Sequence, residues 1–228
     1  MTTDRTKKHT ATELIDIIKS TRKTEDTVFI IGGGPSVQTL LPDKSVLFDH
    51  DVICCNNAYK LFPDAMITHF ADKVWWQWHN SDKHQFLDKF HGYITTAASI
   101  QKPQWSTTPQ VTVFDKTENN HKKGGLSLKP NNLCGGNAGH QAINIAFHLG
   151  YKQVVLIGFD LNKDRNNTHW HNDHERKTNT DNFINTILPG FESLDRLSRE
   201  NDFRIYNLNH KSALTGFEFA DLKDFIDT

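Results

Sequence analysis

The sequence is short of cysteine, of long apolar runs and of any excess of one charge, and each shortage removes a class of protein. Cys54, Cys55 and Cys134 are its 3 cysteines in 228 residues. Their odd number, the adjacent pair and the lack of any C-x-x-C spacing argue against a disulfide framework and against a thiolate zinc site. A reducing compartment, the cytoplasm, is the expected location. No apolar stretch approaches the ~20 residues that cross a bilayer, and residues 1–26 are too charged for a secretory signal. No membrane span is expected. With 26 Lys and Arg against 27 Asp and Glu, the formal net charge is −1. No global field therefore draws the chain to nucleic acid or anionic lipid.

Histidine, by contrast, is abundant, with 13 residues. The length suits one domain with a full core. The pattern divides into an N-terminal helix and tail, residues 1–26, and a single nucleotide-binding, transferase-like domain, residues 27–228. The chain is organised around Val28 to Val37, an apolar, β-branched run that empties into Gly32, Gly33, Gly34, Pro35 and Ser36. This reads as a buried strand, a tight turn and a helix opening at Pro35. Amides at a helix start lack partners and lie at the positive end of the dipole, so the turn is a candidate phosphate site. Contiguous glycines match neither G-x-G-x-x-G nor a P-loop. Ligand-free turns of this kind also recur in parallel α/β proteins.

Further elements follow the same alternation. Thr10-x-x-Glu13 is a capping box for a helix with Leu14, Ile17 and Ile18 on one face, expected to pack on the sheet edge. Asp51 to Cys55 is a second strand, which puts Asn56 and Asn57 just past its carboxyl end, the edge at which open α/β sheets bind ligands. There they could read a base or ribose, or simply form a turn. Ala65 to Phe70 is a third strand with Asp72 at its tip. Trp75, Trp76 and Trp78 cannot share one helical face, so one is expected to be exposed. Tyr93 to Thr96 and Val111 to Phe114 are short strands, and residues 115–132 read as a loop that closes over a substrate or is merely solvated. Gly135 to Gly139 opens a helix ending at Gly150, and Gln153 to Gly158 resumes as a strand. Gly136, Asn137, Ala138 and Gly139 thus form a second helix start open to an anion, with Asp160 at the next strand tip. Leu188 to Leu197 suggests a helix, Phe203 to Tyr206 a strand and Phe217 to Ile226 a short amphipathic helix. The expected fold is α/β, a Rossmann-like domain with a mostly parallel sheet flanked by helices.

Between them lies the polar stretch Asn162 to Asp181, in which His169, His171, Asp173 and His174 spell H-x-H-x-D-H. Taken alone, this resembles the metal signature of the metallo-β-lactamase superfamily, where imidazoles and a carboxylate hold zinc-type ions that activate water. That family carries its motif toward the N-terminal half and needs further ligands downstream. Here 54 residues follow His174, with His210 the last histidine. A solvated loop is a second reading. A third is a non-metal histidine at the ligand edge that accepts a proton near neutral pH.

The wider pattern resembles bacterial and phage proteins related to 6-hydroxymethylpterin diphosphokinase and to the lipooligosaccharide sialyltransferases of glycosyltransferase family 42. The resemblance rests on Ile30 to Ser36, on Cys55-Asn56-Asn57 with Tyr59, on Gly136 to Gly139 running through Lys152 to Asp160, and on the histidine cluster with Asn207 to Leu214. It implies a nucleotide-dependent transferase, most naturally a glycosyltransferase. By that resemblance Gly32 to Ser36 and Asn56 hold a cytidine nucleotide, Gly136 to Gly139 contact the donor, and His171 or His174 is the general base. No cofactor beyond the nucleotide-sugar is then required, and the acceptor is a glycan, a small molecule or modified nucleic acid. Gly33 stands where that branch carries Asn. In the pterin branch Asp72 and Asp160 would hold Mg²⁺ on a triphosphate, which makes a divalent metal the alternative. A zinc hydrolase and a non-catalytic nucleotide-binding module are the remaining alternatives.

Overall fold

A computed structural model describes residues 7–79, 86–98, 110–116, 124–162, 169–171, 173, 185 and 187–226. His174, the centre of the 115–132 loop and most of the stretch from Asn162 to Asp181 lie outside the described residues.

The chain opens with α1 (Ala11–Lys19), where Thr10 and Glu13 close the expected capping box. Its buried stripe is Ala11, Leu14, Ile15 and Ile18. Ile15 rather than Ile17 completes the face, because positions one turn from Ala11 and Ile18 share a side of the helix. The strands are β1 (Thr27–Ile31), β2 (Asp51–Cys55), β3 (Ile67–Phe70), β4 (Tyr93–Thr96), β5 (Val111–Val113), the small pair β6 (Asp115–Lys116) and β7 (Asn132–Leu133), then β8 (Gln153–Ile157), β9 (Arg204–Asn207) and β10 (Glu218–Phe219). The remaining α-helices of the described residues are α2 (Val37–Leu40), α3 (Lys73–His79), α4 (Phe86–Lys89), α5 (Ala138–His148) and α6 (Leu188–Glu200).

The main sheet has 8 strands in the order β10-β9-β8-β1-β2-β3-β4-β5. Every neighbouring pair is parallel. The fold is therefore the expected α/β architecture. Strands covered on both faces need apolar side chains at successive positions, and β1 supplies them. Val28 and Ile30 enter a core shared with α1, α5 and α6, while Phe29 and Ile31 enter a second core with Val37, Tyr59, Trp75 and Trp76. The chain climbs outward from β1 through β5, then returns to lay β8 against the other side of β1. Such a reversal leaves a crevice outside the carboxyl ends of the two strands, where open α/β sheets bind ligands.

Three expectations shift. Helix α2 begins at Val37, with Pro35 still in the turn. Of the three tryptophans, Trp75 and Trp76 are buried and Trp78 is half-buried, so none is fully exposed. The C-terminal segment is the short strand β10 and a 3₁₀ turn at Leu222–Asp224, not an amphipathic helix. The open edge of β9 supplies hydrogen bonds that a helix there would have left unused.

Candidate functional site

The crevice at the β1/β8 reversal encloses about 150 Å³ and is lined by both glycine bends, the tip of β2 and the histidine segment. Each wall has a separate physical origin.

The first bend is Gly32 to Gly34. The Gly32 amide donates to Ile157 O at 2.7 Å and the Gly34 amide to Gly158 O at 2.8 Å, so the β1/β8 ladder continues through the turn. At Gly32 and Gly34 this corrects the expectation of unpaired amides. A Cβ at Gly34 would stand 1.9 Å from Asp160 Oδ2, and one at Gly32 would stand 2.5 Å from Gly158 O. Close approach of backbone and carboxylate is what demands glycine here. Asp160 lines the crevice, with Oδ2 accepting from Ser36 Oγ at 2.7 Å and Oδ1 from Asn209 Nδ2 at 2.9 Å. Burial pushes its carboxyl above the usual carboxylate range, although the bonds from Ser36 pull the other way. The anion niche of the first bend thus already holds a protein carboxylate, and Pro35 and Ser36 do not line the crevice.

The second bend is different. Asn137 caps α5, its Oδ1 accepting from the His140 amide at 3.0 Å. Asn137, Ala138 and Gly139 all line the crevice, whereas Gly136 does not. The amides of Ala138 and Gly139 open the helix and have no protein acceptor among the described residues. With the positive end of an 11-residue helix behind them, they form a niche for an anion. The bend is held from below by a buried chain. Gln141 Nε2 donates to Gly135 O at 2.8 Å, and its Oε1 accepts from His69 Nε2 at 2.8 Å.

At the tip of β2, Asn56 has φ 51 and a buried Oδ1 with no partner among the described residues. A left-handed backbone and an orphaned acceptor at one residue are costs that a bound donor group would relieve. Asn57 also lines the crevice, but its amide is fully engaged. Its Oδ1 accepts from Trp75 Nε1 at 2.6 Å, and its Nδ2 meets Asp173 Oδ2 at 3.0 Å and His171 Nδ1 at 3.2 Å. Reading a base through Asn57, as the sequence suggests, would break these bonds. Asp72 is exposed and away from the crevice, its Oδ1 accepting from the Val74 amide at 2.7 Å to cap α3. Cys55 lies on the wall with its thiol pushed up to about 12 by burial, which removes it as a nucleophile.

The histidine segment docks on the first bend through the Trp170 amide, which donates to Gly33 O at 3.1 Å. His169 and His171 both line the crevice, with ring centroids 5.4 Å apart. A Cβ at Gly33 would meet His169 Cδ2 at 3.1 Å, so the middle glycine makes room for that imidazole. Asp173 pairs with Lys60 at 2.7 Å. Burial opposes its charge, but Lys60, His171 and Asn57 outweigh that and hold the carboxyl below its ordinary value. Among the described residues, no group of three His, Cys, Asp or Glu side chains is arranged to hold a metal. His171 Nδ1 and the Asp173 carboxylate, two members of the zinc-like motif, face protein partners instead.

Gly158, Phe159, Leu161, Ile187 and Phe191 complete the wall. Sequence reasoning passed over these residues. Gly158 and Leu161 have positive φ of 79 and 48, which for Leu161 nothing in the sequence announces, while Ile187, the N-cap of α6, and Phe191 within that helix come from a distant part of the chain.

No curated protein matches the chain. The solved structure of the sialyltransferase CstII from Campylobacter jejuni, in complex with the substrate analogue CMP-3FNeuAc, shares the fold with a TM-score of 0.56. The identity is 16%, and the similarity covers 89% of each chain. The model of the family described as 6-hydroxymethylpterin diphosphokinase MptE-like matches residues 2–166, well over half of the length, and the protein belongs to that family.

Proposed function

We propose that the crevice binds a nucleotide-sugar and that the protein is a glycosyltransferase. The observation that carries this reading is the convergence of the α5 amides, the Asn56 carbonyl oxygen and the histidine segment on one crevice whose described wall has a single carboxylate, Asp160. The family and the structural neighbour are named for a diphosphokinase and a sialyltransferase, both of which transfer a group. A Mg²⁺-triphosphate site draws on carboxylates. Asp72 caps α3, and Asp160 is engaged by Ser36 and Asn209, so the donor set favours a leaving group held by amides and imidazole.

In the reaction, the acceptor oxygen forms a bond to the anomeric carbon as the bond from that carbon to the phosphate oxygen breaks. The nucleotide leaves with the electron pair, steadied at the start of α5. The acceptor proton passes to a histidine of segment 169–174. Asn56 would accept a hydrogen bond from the base or ribose. Asp160 keeps the first bend in shape.

Thermal-shift measurements with CMP, UDP, GDP and ATP, each with and without Mg²⁺, test the reading. CMP or UDP should stabilise the chain without metal, by ~2.7 kcal/mol at 100 times the dissociation constant. Stabilisation by ATP only with Mg²⁺ would replace this reading with the diphosphokinase one. Nucleotide binding with no transfer to any acceptor, unchanged in both His169→Ala and His171→Ala, would leave a binding module.

A further inference from the structure

The geometry points to His171 as a hydrogen-bond donor rather than the base, with Asn57 as the positioning residue that sets its tautomer. Trp75 Nε1–H can only donate, so the oxygen of the Asn57 amide must face it, at 2.6 Å. The amide nitrogen is thereby turned toward His171 and lies 3.2 Å from Nδ1. A second donor, the backbone amide of Asp173, reaches the same ring nitrogen at 3.3 Å. Two N–H groups converge on Nδ1, and neither can accept. Nδ1 therefore carries a lone pair, and in the neutral ring the proton resides on Nε2.

The Asp173 carboxylate does not reverse this. Its Oδ2 is 3.5 Å from Nδ1, farther than either donor, and it already accepts from Lys60 at 2.7 Å and Asn57 at 3.0 Å. Trp170 packs edge-on against the imidazole at 4.8 Å, and the His171 side chain is only 6% exposed, so the ring is held in place. On the side away from Asn57 the neutral ring presents an N–H, which cannot take the acceptor's proton. It can donate to an anionic oxygen, and on the reading proposed above that oxygen belongs to the leaving phosphate. The base is then another histidine of the segment.

Long-range ¹H–¹⁵N correlation spectra of the full chain above pH ~8, where an ordinary imidazole is neutral, report the tautomer directly. The His171 signals are identified by their loss in His171→Gln. We expect an unprotonated shift at Nδ1 and a protonated one at Nε2. Asn57→Asp keeps an oxygen for Trp75 and places an acceptor where the amide donated, so the proton should move to Nδ1. The dissociation constant for CMP or UDP should then rise about tenfold, the loss of one hydrogen bond to a charged group. A protonated Nδ1 in the native chain overturns the inference, and so does an unchanged His171 spectrum in Asn57→Asp. If Asn57→Asp does not fold, the native spectrum alone decides. A native chain that shows the expected tautomer but binds no nucleotide loses the function proposed above and retains the tautomer assignment.

Discussion

At the scale of single residues, much of the histidine surplus is structural. His69 and His140 are fully buried, and burial lowers each to about 4. His148 is lowered in the same direction by the same cause. A histidine that is neutral in the fold and free to charge when unfolded contributes its stability above pH ~6.5, and that stability is lost as the pH falls toward the folded value. Asp160 works oppositely, since its raised carboxyl gains on acidification. The urea midpoint should therefore fall between pH ~6.5 and ~4, and His69→Gln should flatten that fall. A second buried polar residue is Asn144, whose Oδ1 accepts the amides of Ser127 and Cys134 at 3.0 and 2.9 Å and whose Nδ2 donates to Ser127 O at 3.1 Å. Asn144→Ala removes the side-chain partner of three buried backbone groups and should cost about 3 kcal/mol by urea denaturation. Neither role was legible in the sequence. A histidine on an apolar helix reads the same whether it meets a carbonyl or a ligand, and the partner of His140, Gly125 O, lies in a stretch without periodicity.

At the scale of elements, the strands were the legible part. β2 and β4 fall where the sequence puts them, β2 as an apolar run and β4 as a short β-branched and aromatic segment, each bounded by polar or turn residues. The start of α2 was read less well, whereas α1 and α6 open where the sequence puts them. The glycine bend reads as an open anion site, yet its Gly32 and Gly34 amides bond to the end of β8 and Asp160 fills the space beside Gly34 and Ser36. That filling depends on residues more than a hundred positions apart, and no local pattern announces it. The two inner glycines separate the consequences. Gly34→Ala drives a Cβ into Asp160 and Gly158 O and should destabilise the fold by about 2–3 kcal/mol or more, measured by urea denaturation. Gly33→Ala meets only the edge of His169 at 3.1 Å. It should leave the melting temperature nearly unchanged while weakening nucleotide binding, which calorimetry would show.

At the scale of the whole molecule, the strand order decides where chemistry can occur. One reversal beside β1 brings the tips of β1, β2 and β8 and the start of α5 together, and the candidate residues from both halves of the sequence meet there. Among the described residues no helix is long and apolar enough to cross a membrane. The sheet ends at β10, and Phe217 beside it is buried in the core shared with α6. A chain stopped after Gly216 would lose that anchor and bare the edge of β9. It should melt at lower temperature and show concentration-dependent association by size-exclusion chromatography. The carboxylate of Asp160 has a consequence of another kind. Because the molecule furnishes its own counter-ion for the first bend, that turn borrows nothing from solution to keep its shape. A sample stripped of every small molecule should retain an assembled cavity.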